Sequence, residues 1–379
     1  MKKLDSVRTW VEVDKKAIAH NYRVFRKLLN KKTLFLAVVK SNAYGHNLLE
    51  FAPEMQRLGA DWLGVDSLVE ARSARSVGVK IPILVQGFTL PSLYEEARTK
   101  GISITISSFA QLEQVRKLRP AKKILKIHIK VDTGMHRQGF QLVDAKKLLH
   151  MLALSKGKTY VVEGLYTHFA EAKDPRSGDA TRRQIKEFEE WITLFANSGL
   201  HPLKHASATG ATLLYPQAHF DMVRVGIGCY GLWPSSEAER FMGHKVTLKP
   251  VLTWKAVVSE VKLVKSGERV GYDLTERLNR NTTLAVIPVG YWHGMSRLAS
   301  SKGRVLIKGK SARIVGRVSM DMIVVDVTDI HNVEMGDEVV LIGRQGKAEI
   351  KAGEIAQFSA TTHYEIVTRL NPLMQKFYI

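Results

Sequence analysis

The feature that most constrains the fold is a regular alternation between residues 33 and 231, where short apolar, β-branched runs alternate with longer amphipathic stretches. This pattern is typical of βα units whose strands form a parallel sheet. It predicts eight strands, at 34–39, 62–65, 81–85, 102–106, 124–131, 160–167, 203–206 and 222–226. Helices are predicted between them, for example at 68–77, 108–118, 144–154 and 181–195. Eight such units in about two hundred residues favour a (β/α)8 barrel, with a doubly wound sheet as the alternative.

The pattern changes after about residue 234. Alternating apolar positions then predict β structure, with at most one short helix, at 353–358. The predicted β segments are 251–264, 283–289, 304–307, 314–327 and 338–342. The sequence therefore predicts an α/β protein with a (β/α)8 TIM-type barrel in residues 1–240, followed by a mainly β domain in residues 241–379. The first residues of the chain are candidates for packing with the β domain.

Composition excludes several classes of protein. The 379 residues include a single cysteine, Cys229, so the chain has neither an intramolecular disulfide nor a cysteine-rich metal site, and no metal is expected. No signal peptide pattern opens the sequence, and no apolar run approaches the roughly 18 residues of a membrane-spanning helix, so we expect a cytoplasmic protein. Lys and Arg number 57 against 36 Asp and Glu, a net charge of +21. These basic residues are spread out without interleaved aromatic residues, so we expect neither nucleic acid nor membrane as a partner.

Reactive side chains of such barrels follow the carboxyl ends of the strands. Lys40 follows the first strand, where desolvation of an amine favours the neutral nucleophile that forms Schiff bases. Small hydroxyls and glycines follow the seventh and eighth strands, which is the usual phosphate site of these barrels. They are Ser207, Thr209 and Gly226. A lysine nucleophile and a phosphate site at one barrel mouth together predict pyridoxal 5′-phosphate, with Arg224 beside its pyridine nitrogen.

Eight strings of the sequence, taken in order, resemble the successive motifs of the alanine racemase family. They are AVVKSNAYGHN, KVDTGMHRQGF, GLYTHFAEA, FDMVRVGIGCYG, VGYDLT, IPVGYWHG, GRVSMDMIVVDVTD and YEIVTRL, and they cover nearly the whole chain. The resemblance implies a fold-type III, pyridoxal-phosphate-dependent enzyme that interconverts L-alanine and D-alanine and supplies D-alanine for peptidoglycan. It also implies a homodimer in which the β domain of one subunit covers the barrel mouth of the other.

The resemblance implies a two-base mechanism. Lys40 would hold the cofactor and act on one face of the substrate α-carbon, while Tyr272 of the partner subunit would act on the opposite face. A phenol is a poor base at neutral pH, so Tyr272 is expected to have cationic or hydrogen-bonding neighbours, with His168 and Arg224 as candidates. An arginine beside the pyridine nitrogen leaves that nitrogen unprotonated, which disfavours transamination and decarboxylation.

The remaining roles also come from the resemblance. The phosphate contacts are assigned to Tyr44, Thr209, Gly226, Ile227 and Tyr364, with Ser207 nearby and His168 in a stacking or network role. Arg137 is assigned to the cofactor hydroxyl and the substrate carboxylate, and the backbone of Met320 of the partner subunit to the same carboxylate. Lys130 matches a lysine that some members carry as a carbamate.

Six positions depart from the usual family pattern, namely Asn47, Ala208, Gly271, Asp273, His293 and Ser319. They leave substrate breadth open, so a related racemase acting on serine or basic amino acids is the rival within the enzyme class. A barrel that carries the cofactor without catalysis is the rival from another class. The all-β domain and Tyr272 argue against that carrier, because the minimal carrier lacks both.

Overall fold

The structure is a computed structural model that describes residues 6–154 and 159–379. Within these residues the chain forms two compact units. The barrel unit comprises residues 16–43 and 48–250, and the β unit comprises residues 6–15, 44–47 and 251–379. Residues 241–250, which the sequence analysis assigns to the second domain, group with the barrel unit. The chain therefore enters the β unit three times.

The barrel unit is built on eight parallel strands. After β1 (Thr9–Val13), which belongs to the β unit, they are β2 (Leu34–Val38), β3 (Trp62–Val65), β4 (Ile83–Val85), β5 (Ser103–Ile106), β6 (Leu125–Lys130), β7 (Tyr160–Tyr166), β8 (Leu203–His205) and β9 (Met222–Val225). Each predicted strand is confirmed, with ends shifted by two residues at most. Branched and aromatic residues such as Phe35, Leu63 and Ile129 are fully buried, as the apolar runs require.

The sheet closes into a barrel. Its strands follow one another from β2 to β8, and β2 also pairs in parallel with β9. The remaining gap, between β8 and β9, is bridged where the backbone N–H of Arg224 donates to the carbonyl of Ser207 at 2.8 Å. A doubly wound sheet would leave two open edges, so the closed barrel is confirmed over the alternative.

Amphipathic helices surround the strands. They are α1 (Lys15–Leu28), α2 (Leu48–Leu58), α3 (Leu68–Ser76), α4 (Tyr94–Thr99), α5 (Phe109–Arg116), α6 (Ala145–Ala153), α7 (Gly178–Asn197), α8 (Thr209–Leu214) and α9 (Ser236–Met242). Ser67 and Ser108 cap α3 and α5 by accepting the backbone N–H three residues later. In α7, residues such as Ile185, Phe188 and Trp191 are buried at helical spacing. No helix in the described part of the chain is both long and apolar enough to cross a lipid bilayer.

The β unit contains a ten-stranded sheet. Its strands, together with a separate two-stranded ribbon (β12 and β13), are β1 and then β10 (Leu252–Val257), β11 (Glu260–Val264), β12 (Arg269–Val270), β13 (Glu276–Arg277), β14 (Thr282–Ile287), β15 (Arg304–Ile307), β16 (Lys310–Ile314), β17 (Ile323–Asp326), β18 (Glu338–Gln345), β19 (Ala348–Ile350) and β20 (Gln375–Tyr378). β1 pairs antiparallel with β10 and parallel with β20, so the first and the last strand of the described residues are neighbours in this sheet. The mainly β character is confirmed.

Two details of the β unit differ from prediction. Residues 251–379, all of which the structure describes, contain two short helices rather than at most one, α10 (Ala352–Phe358) and α11 (His363–Thr368). The second was missed because only Ile366 and Val367 are buried in it, too few for a helical period. The predicted β segment 314–327 is a strand only at its two ends. Between them the chain turns, and the N–H of Ser319 donates to the carbonyl of Met322 at 3.0 Å.

Candidate active site

Lys40 lies at the carboxyl end of β2, at the mouth of the barrel. Its Nζ is 3.4 Å from Oδ1 of Asp66, which directly follows β3. The Lys40 side chain is 38% exposed, so the predicted desolvation of this amine is wrong. Strand ends open toward the barrel mouth, and a neighbouring carboxylate holds the ammonium there. Sequence reasoning missed Asp66, although an acid at the end of a parallel strand is a signal that could have identified it.

An unusual turn holds Lys40 in place. Residues 41–44, none of them glycine, have φ between 51 and 54°, a left-handed conformation that side chains disfavour. Glu70 stabilises this turn, since its carboxylate accepts the backbone N–H of Asn42 at 3.3 Å and that of Asp66 at 2.8 Å. Glu70 therefore ties the segment after Lys40 to the segment that carries its carboxylate partner. Nothing in the sequence marked Glu70, because its role depends on this backbone geometry.

The loop after β6 is organised by Asp132. Its Oδ1 accepts the backbone N–H of residues 134, 135 and 136 at 3.1, 3.0 and 2.9 Å. The loop presents Arg137, whose guanidinium is exposed and makes no hydrogen bond or ion pair with the described residues. Nearby, Nζ of Lys130 donates to Oε1 of Gln138 at 3.0 Å. Gln138 is a third residue of this site, after Asp66 and Glu70, that sequence reasoning missed.

Cations gather at the barrel mouth without an equal number of anions. Burial and the charges of Arg137, Arg224 and Lys40 lower the pKa of Lys130 to about 8. Burial and the same cations lower the pKa of His168 to about 3, so this imidazole is neutral at physiological pH. The positive charges at the barrel mouth disfavour protonation of their neighbours. A cluster of this kind is suited to binding an anion.

Arg224 points into the barrel from β9 and is almost fully fixed. Its Nη1 donates to Nδ1 of His205 at 2.9 Å, and its Nη2 donates to the carbonyls of Thr167 and Ala206 at 2.7 and 2.8 Å and lies 3.4 Å from Nδ1 of His168. Burial lowers the pKa of Arg224 to about 10, which leaves it charged at neutral pH. Its Nε–H makes no hydrogen bond in the described part of the chain. The Nε–H and one N–H of Nη1 of this rigid, buried guanidinium are thus left for a ligand.

Small residues follow β8 and β9, as predicted. The Thr209 hydroxyl oxygen accepts the backbone N–H of Gly226 at 3.1 Å and of Gly228 at 3.3 Å, which leaves its own O–H to be donated. The N–H of Ile227 makes no hydrogen bond with any described residue. In contrast, the Ser207 hydroxyl already donates to a backbone carbonyl at 2.6 Å and can only accept. The site therefore offers Thr209 and Ile227 as donors for an anionic group.

The other four predicted residues belong to the β unit. Tyr44 and Tyr364 lie together there, with ring centroids 6.4 Å apart, and burial raises the pKa of Tyr364. The close packing beside Tyr44 requires Gly45, because a Cβ there would lie 2.0 Å from the carbonyl oxygen of Val367. Two residues that were predicted to bind the phosphate therefore lie close together in one unit.

Tyr272 and Met320 lie on exposed loops of the β unit. The Tyr272 side chain is 68% exposed, and its hydroxyl has no partner among the described residues. Asp273 forms an ion pair with Arg317 at 3.0 Å, so the carboxylate next to Tyr272 is already engaged. The backbone carbonyl of Met320 accepts the N–H of Trp292 at 3.0 Å, whereas its N–H is unbonded within the described residues.

These loops form one apolar surface, which we call the loop face. Its members are large hydrophobic side chains, each 45% exposed or more: Tyr272, Leu274, Tyr291, Trp292, Leu298, Met320 and Met322. The loops that carry them contact one another through the ion pair between Asp273 and Arg317 and through the bond from the N–H of Tyr291 to the carbonyl of Ser319. Exposed apolar side chains on loops that contact one another in this way are typical of an interface.

Several departures from the family pattern have structural roles. Asn47 and Asp273 adopt positive φ, at 80 and 61°, positions at which glycine is usually favoured. His293 is buried, and its Nδ1 accepts the N–H of Gly290 at 3.2 Å. All three residues shape the backbone of the β unit. The structure gives no reason for Ser319.

Comparison with known proteins identifies the family. Residues 13–234 match the alanine racemase N-terminal domain, and residues 251–378 match the alanine racemase C-terminal domain. The chain belongs to the alanine racemase family. An alanine racemase of Symbiobacterium thermophilum is 38% identical over 99% of this chain and 98% of its own length. As an alanine racemase, the protein is an enzyme that interconverts L-alanine and D-alanine.

Solved alanine racemase structures have the same fold. The enzyme from the D-cycloserine producer Streptomyces lavendulae superposes with a TM-score of 0.92 at 34% identity, covering 98% of this chain and 97% of that one. The alanine racemase of Bartonella henselae, solved with covalently bound pyridoxal phosphate, superposes with a TM-score of 0.87 at 29% identity, covering 98% of this chain and all of that one. The predicted family, fold class and enzyme class are therefore confirmed.

Proposed function

We propose that this alanine racemase binds pyridoxal 5′-phosphate at the barrel mouth and works by a two-base mechanism shared between two subunits. The observation that carries the proposal is a set of groups ready for a ligand at one mouth: the unbonded Nε–H of Arg224, the unpaired guanidinium of Arg137 and the amine of Lys40. A phosphorylated pyridine aldehyde offers a matching acceptor or electrophile to each. When bound, this cofactor withdraws electrons from the substrate α-carbon and makes its proton removable.

The residues present fit that cofactor. Lys40 would bind it covalently through Nζ, and Arg224 would donate its Nε–H to the pyridine nitrogen. Because the Arg224 guanidinium keeps its charge, it would disfavour a proton on that nitrogen and so limit electron withdrawal, which would favour proton return over transamination or decarboxylation. The phosphate would be held by the O–H of Thr209 and the N–H of Ile227, with Tyr44, Ser207, Gly226 and Tyr364 alongside.

Racemisation requires a proton to leave one face of the α-carbon and another to arrive on the opposite face. Nζ of Lys40 would serve one face, supported by Asp66, whose carboxylate is near enough to share its proton. Oη of Tyr272 of the partner subunit would serve the other face. The neutral ring of His168 and the charged Arg224 are the neighbours we assign to that hydroxyl. Arg137 would orient the substrate through its carboxylate, together with the N–H of the partner subunit's Met320.

A homodimer would bring the two halves of this site together. Tyr272 and Met320 lie on the loop face, whose large apolar side chains are exposed in a single chain. Phe88 and Leu90, 60 and 54% exposed, lie in the loop after β4 beside Asp66, with the N–H of Gly87 donating to the Asp66 carbonyl at 3.1 Å. We propose that the loop face of one subunit packs against Phe88 and Leu90 of the other subunit across the interface.

Lys130 is our candidate for carbamylation. Its pKa of about 8 leaves a sizeable neutral fraction at physiological pH. A neutral amine adds to carbon dioxide, forming an N–C bond and releasing one proton. Together with the proton that the ammonium group loses first, two protons leave, and an anion replaces a cation near Arg137, which relieves the repulsion that lowers the pKa of Lys130.

The D-alanine product would supply peptidoglycan synthesis, and we place the enzyme in the cytoplasm. Borohydride reduction of the purified protein, followed by peptide mapping, tests the cofactor site. We expect loss of the visible absorbance and label on Lys40. A colourless protein, or label on a different lysine, would contradict the proposal. Assays with serine, lysine and arginine would then separate an alanine-specific enzyme from one of wider specificity.

Solvent-deuterium exchange at the α-carbon tests the two bases. In Lys40→Ala and Tyr272→Phe variants, exchange should fail for opposite enantiomers of alanine, because each base serves one face. A Tyr291→Phe variant is the matched control, since Tyr291 lies on the same loop face without a proposed proton-transfer role. Loss of exchange for the same enantiomer in both catalytic variants would refute the assignment.

A further inference from the structure

The interior of the barrel carries a line of polar residues where such barrels are ordinarily filled by branched apolar side chains. His128 on β6 and His205 on β8 are both fully buried there. Their rings meet, with Nδ1 of His128 2.9 Å from Nε2 of His205. Nδ1 of His205 lies 2.9 Å from Nη1 of Arg224, and Nε2 of His128 lies 3.4 Å from Oε2 of Glu163 on β7. Arg224, His205 and His128 therefore connect the barrel mouth with the partly buried carboxylate of Glu163.

The chemistry of these groups gives the line a direction. A guanidinium can only donate, so Nδ1 of His205 must accept from Arg224 and its proton must be on Nε2. That Nε2–H then donates to Nδ1 of His128, which places the His128 proton on Nε2 as well. This last N–H donates to Oε2 of Glu163. Each residue donates to the next, from Arg224 to Glu163.

The charges in the line agree with that direction. Burial lowers the pKa of His128 and lowers that of His205 still further, and the charge of Arg224 acts in the same sense on both, so both rings are neutral. Burial alone would raise the pKa of Glu163, but hydrogen bonds from His128, Lys126 and Ser103 lower it to about 2. The titratable or charged groups that face the two rings are Glu163, Lys126, Arg224 and Tyr166.

Packing prevents the two rings from turning. The Trp62 ring meets His128 edge-on at 5.4 Å, and the Tyr166 ring stacks on His205 at 4.7 Å with an interplanar angle of 7°. Gly164 makes room for the first imidazole, because a Cβ there would lie 2.1 Å from Nδ1 of His128. Glu163 is itself anchored by Ser103 at 2.5 Å and Lys126 at 2.7 Å. These contacts fix the orientations of His128, His205 and Glu163.

Arg224 has no contact with a carboxylate in the described part of the chain, although it is a buried cation. We propose that Glu163 is its remote counterion and that His205 and His128 transmit this charge as a directional hydrogen-bond relay. Glu163, His128 and His205 are positioning residues: they hold Arg224 as a cation and aim its Nε–H at the barrel mouth. The effect on the bound cofactor rests on the proposed function, whereas the relay itself does not.

The relay is tested by long-range proton–nitrogen correlation spectra of the full-length protein, as purified, with ¹⁵N-labelled histidine. We expect His128 and His205 to be neutral Nε2–H tautomers. Replacing Glu163 in a Glu163→Gln variant should move the Nε2 signals of both rings, because the change is passed along the line. A Lys126→Met variant is the control, since it removes another partner of Glu163 but leaves the relay whole. An Nδ1–H tautomer at either ring would overturn the proposal.

A second measurement separates the relay from the cofactor proposal. If Arg224 contacts the cofactor, Glu163→Gln should weaken pyridoxal phosphate binding about tenfold, and Lys126→Met should change it less than twofold. Equal affinities in the two variants would overturn the relay and leave the cofactor site standing. A protein that binds no pyridoxal phosphate would refute the proposed function, and the histidine tautomers would still decide the relay. Melting temperatures within a few degrees of the native value would show that both variants are folded.

Discussion

The barrel mouth and the loop face differ in how completely their functional groups are held. At the barrel mouth, Arg224 uses two of its three nitrogens on neighbours, and Thr209 accepts two backbone N–H groups. On the loop face, the Tyr272 hydroxyl and the Met320 N–H have no partner among the described residues. The barrel mouth is organised by its own chain, whereas the loop face presents groups that only another molecule can satisfy.

This difference has a physical origin. Groups at the ends of parallel strands are brought together by the closure of the sheet, and burial then requires hydrogen-bond partners. The loops of the loop face are held together by backbone hydrogen bonds from the N–H of Tyr291 and Trp292 and by the ion pair between Asp273 and Arg317, while their large apolar side chains are exposed. In the proposed shared site, each chain would therefore build one half and display the other.

Mixing two inactive variants gives the largest effect expected from this comparison. Homodimers of Lys40→Ala and of Tyr272→Phe should each lose more than about 10⁴-fold in racemisation. Unfolding and refolding them together should restore about a quarter of the native activity, because half of the random dimers are mixed and each mixed dimer has one intact site. Racemisation would be followed by polarimetry or a coupled D-amino acid assay.

The control is the same procedure with two Lys40→Ala preparations, or with Lys40→Ala and a Lys40→Ala, Tyr272→Phe double variant. Both mixtures should stay inactive, since neither can produce a complete site. If the Lys40→Ala and Tyr272→Phe mixture also stays inactive while its dimers form, the two residues act within one subunit. The contrast between the barrel mouth and the loop face would then have no bearing on catalysis.

The sequence predicted the barrel well because strand runs and helical periods are local signals. All eight strands were recognisable from apolar residues that closure then buries, such as Phe35 and Ile129. The β unit was predicted less well where apolar residues continue through a turn, as between residues 314 and 323, although Gly316 marks that turn with a φ of 72°. There the apolar residues alternate as in a strand, but Met320 and Met322 are exposed because they belong to the loop face.

The candidate site divides in the same way. Lys40, Arg137 and Arg224 were identifiable because they follow or end strands, and the family motifs named the rest. Asp66, Glu70 and Gln138 were missed because their roles come from contacts across the fold, which no spacing in the sequence reveals. The desolvation expected of Lys40 was wrong for a related reason, since exposure at a strand end depends on the neighbouring loops.

Arg137 is a residue of the barrel unit, but it shares one property with the groups of the loop face. Its guanidinium is exposed and has no partner among the described residues. If it binds the substrate carboxylate, Arg137→Ala should lower kcat/KM roughly 10³-fold, mostly through KM, and Arg137→Lys should recover part of the loss. Steady-state kinetics in both directions would measure this. Arg116→Ala, a change in another barrel-unit arginine at the end of α5, is the control. A fall in kcat alone would place Arg137 in the chemical step.

The lowered pKa of Lys130 should make the stability of the protein depend on pH. Its pKa falls from 10.5 to about 8 in the native state, so between these pH values the unfolded chain binds more protons and native stability rises with pH. Relative to a Lys130→Met variant, the native protein should gain about 3 kcal/mol in free energy of unfolding across that window. Urea titrations of the cofactor-free protein in carbon-dioxide-free buffer would measure it. A constant difference would mean that Lys130 titrates normally.

The smallest expected effect concerns the unbonded N–H of Met320. Proline has no N–H, so Met320→Pro should raise KM for alanine about tenfold if that donor completes the carboxylate site of the other subunit. Met320→Ala keeps the N–H and loses only the side chain, so it should raise KM less than twofold, provided that dimerisation is unchanged. Sedimentation and melting temperature would show whether the proline variant keeps its fold and assembly. Equal KM values for the two variants would show that the loop face contributes Tyr272 alone to the shared site, and the backbone of the Met320 loop would then serve only to support the interface.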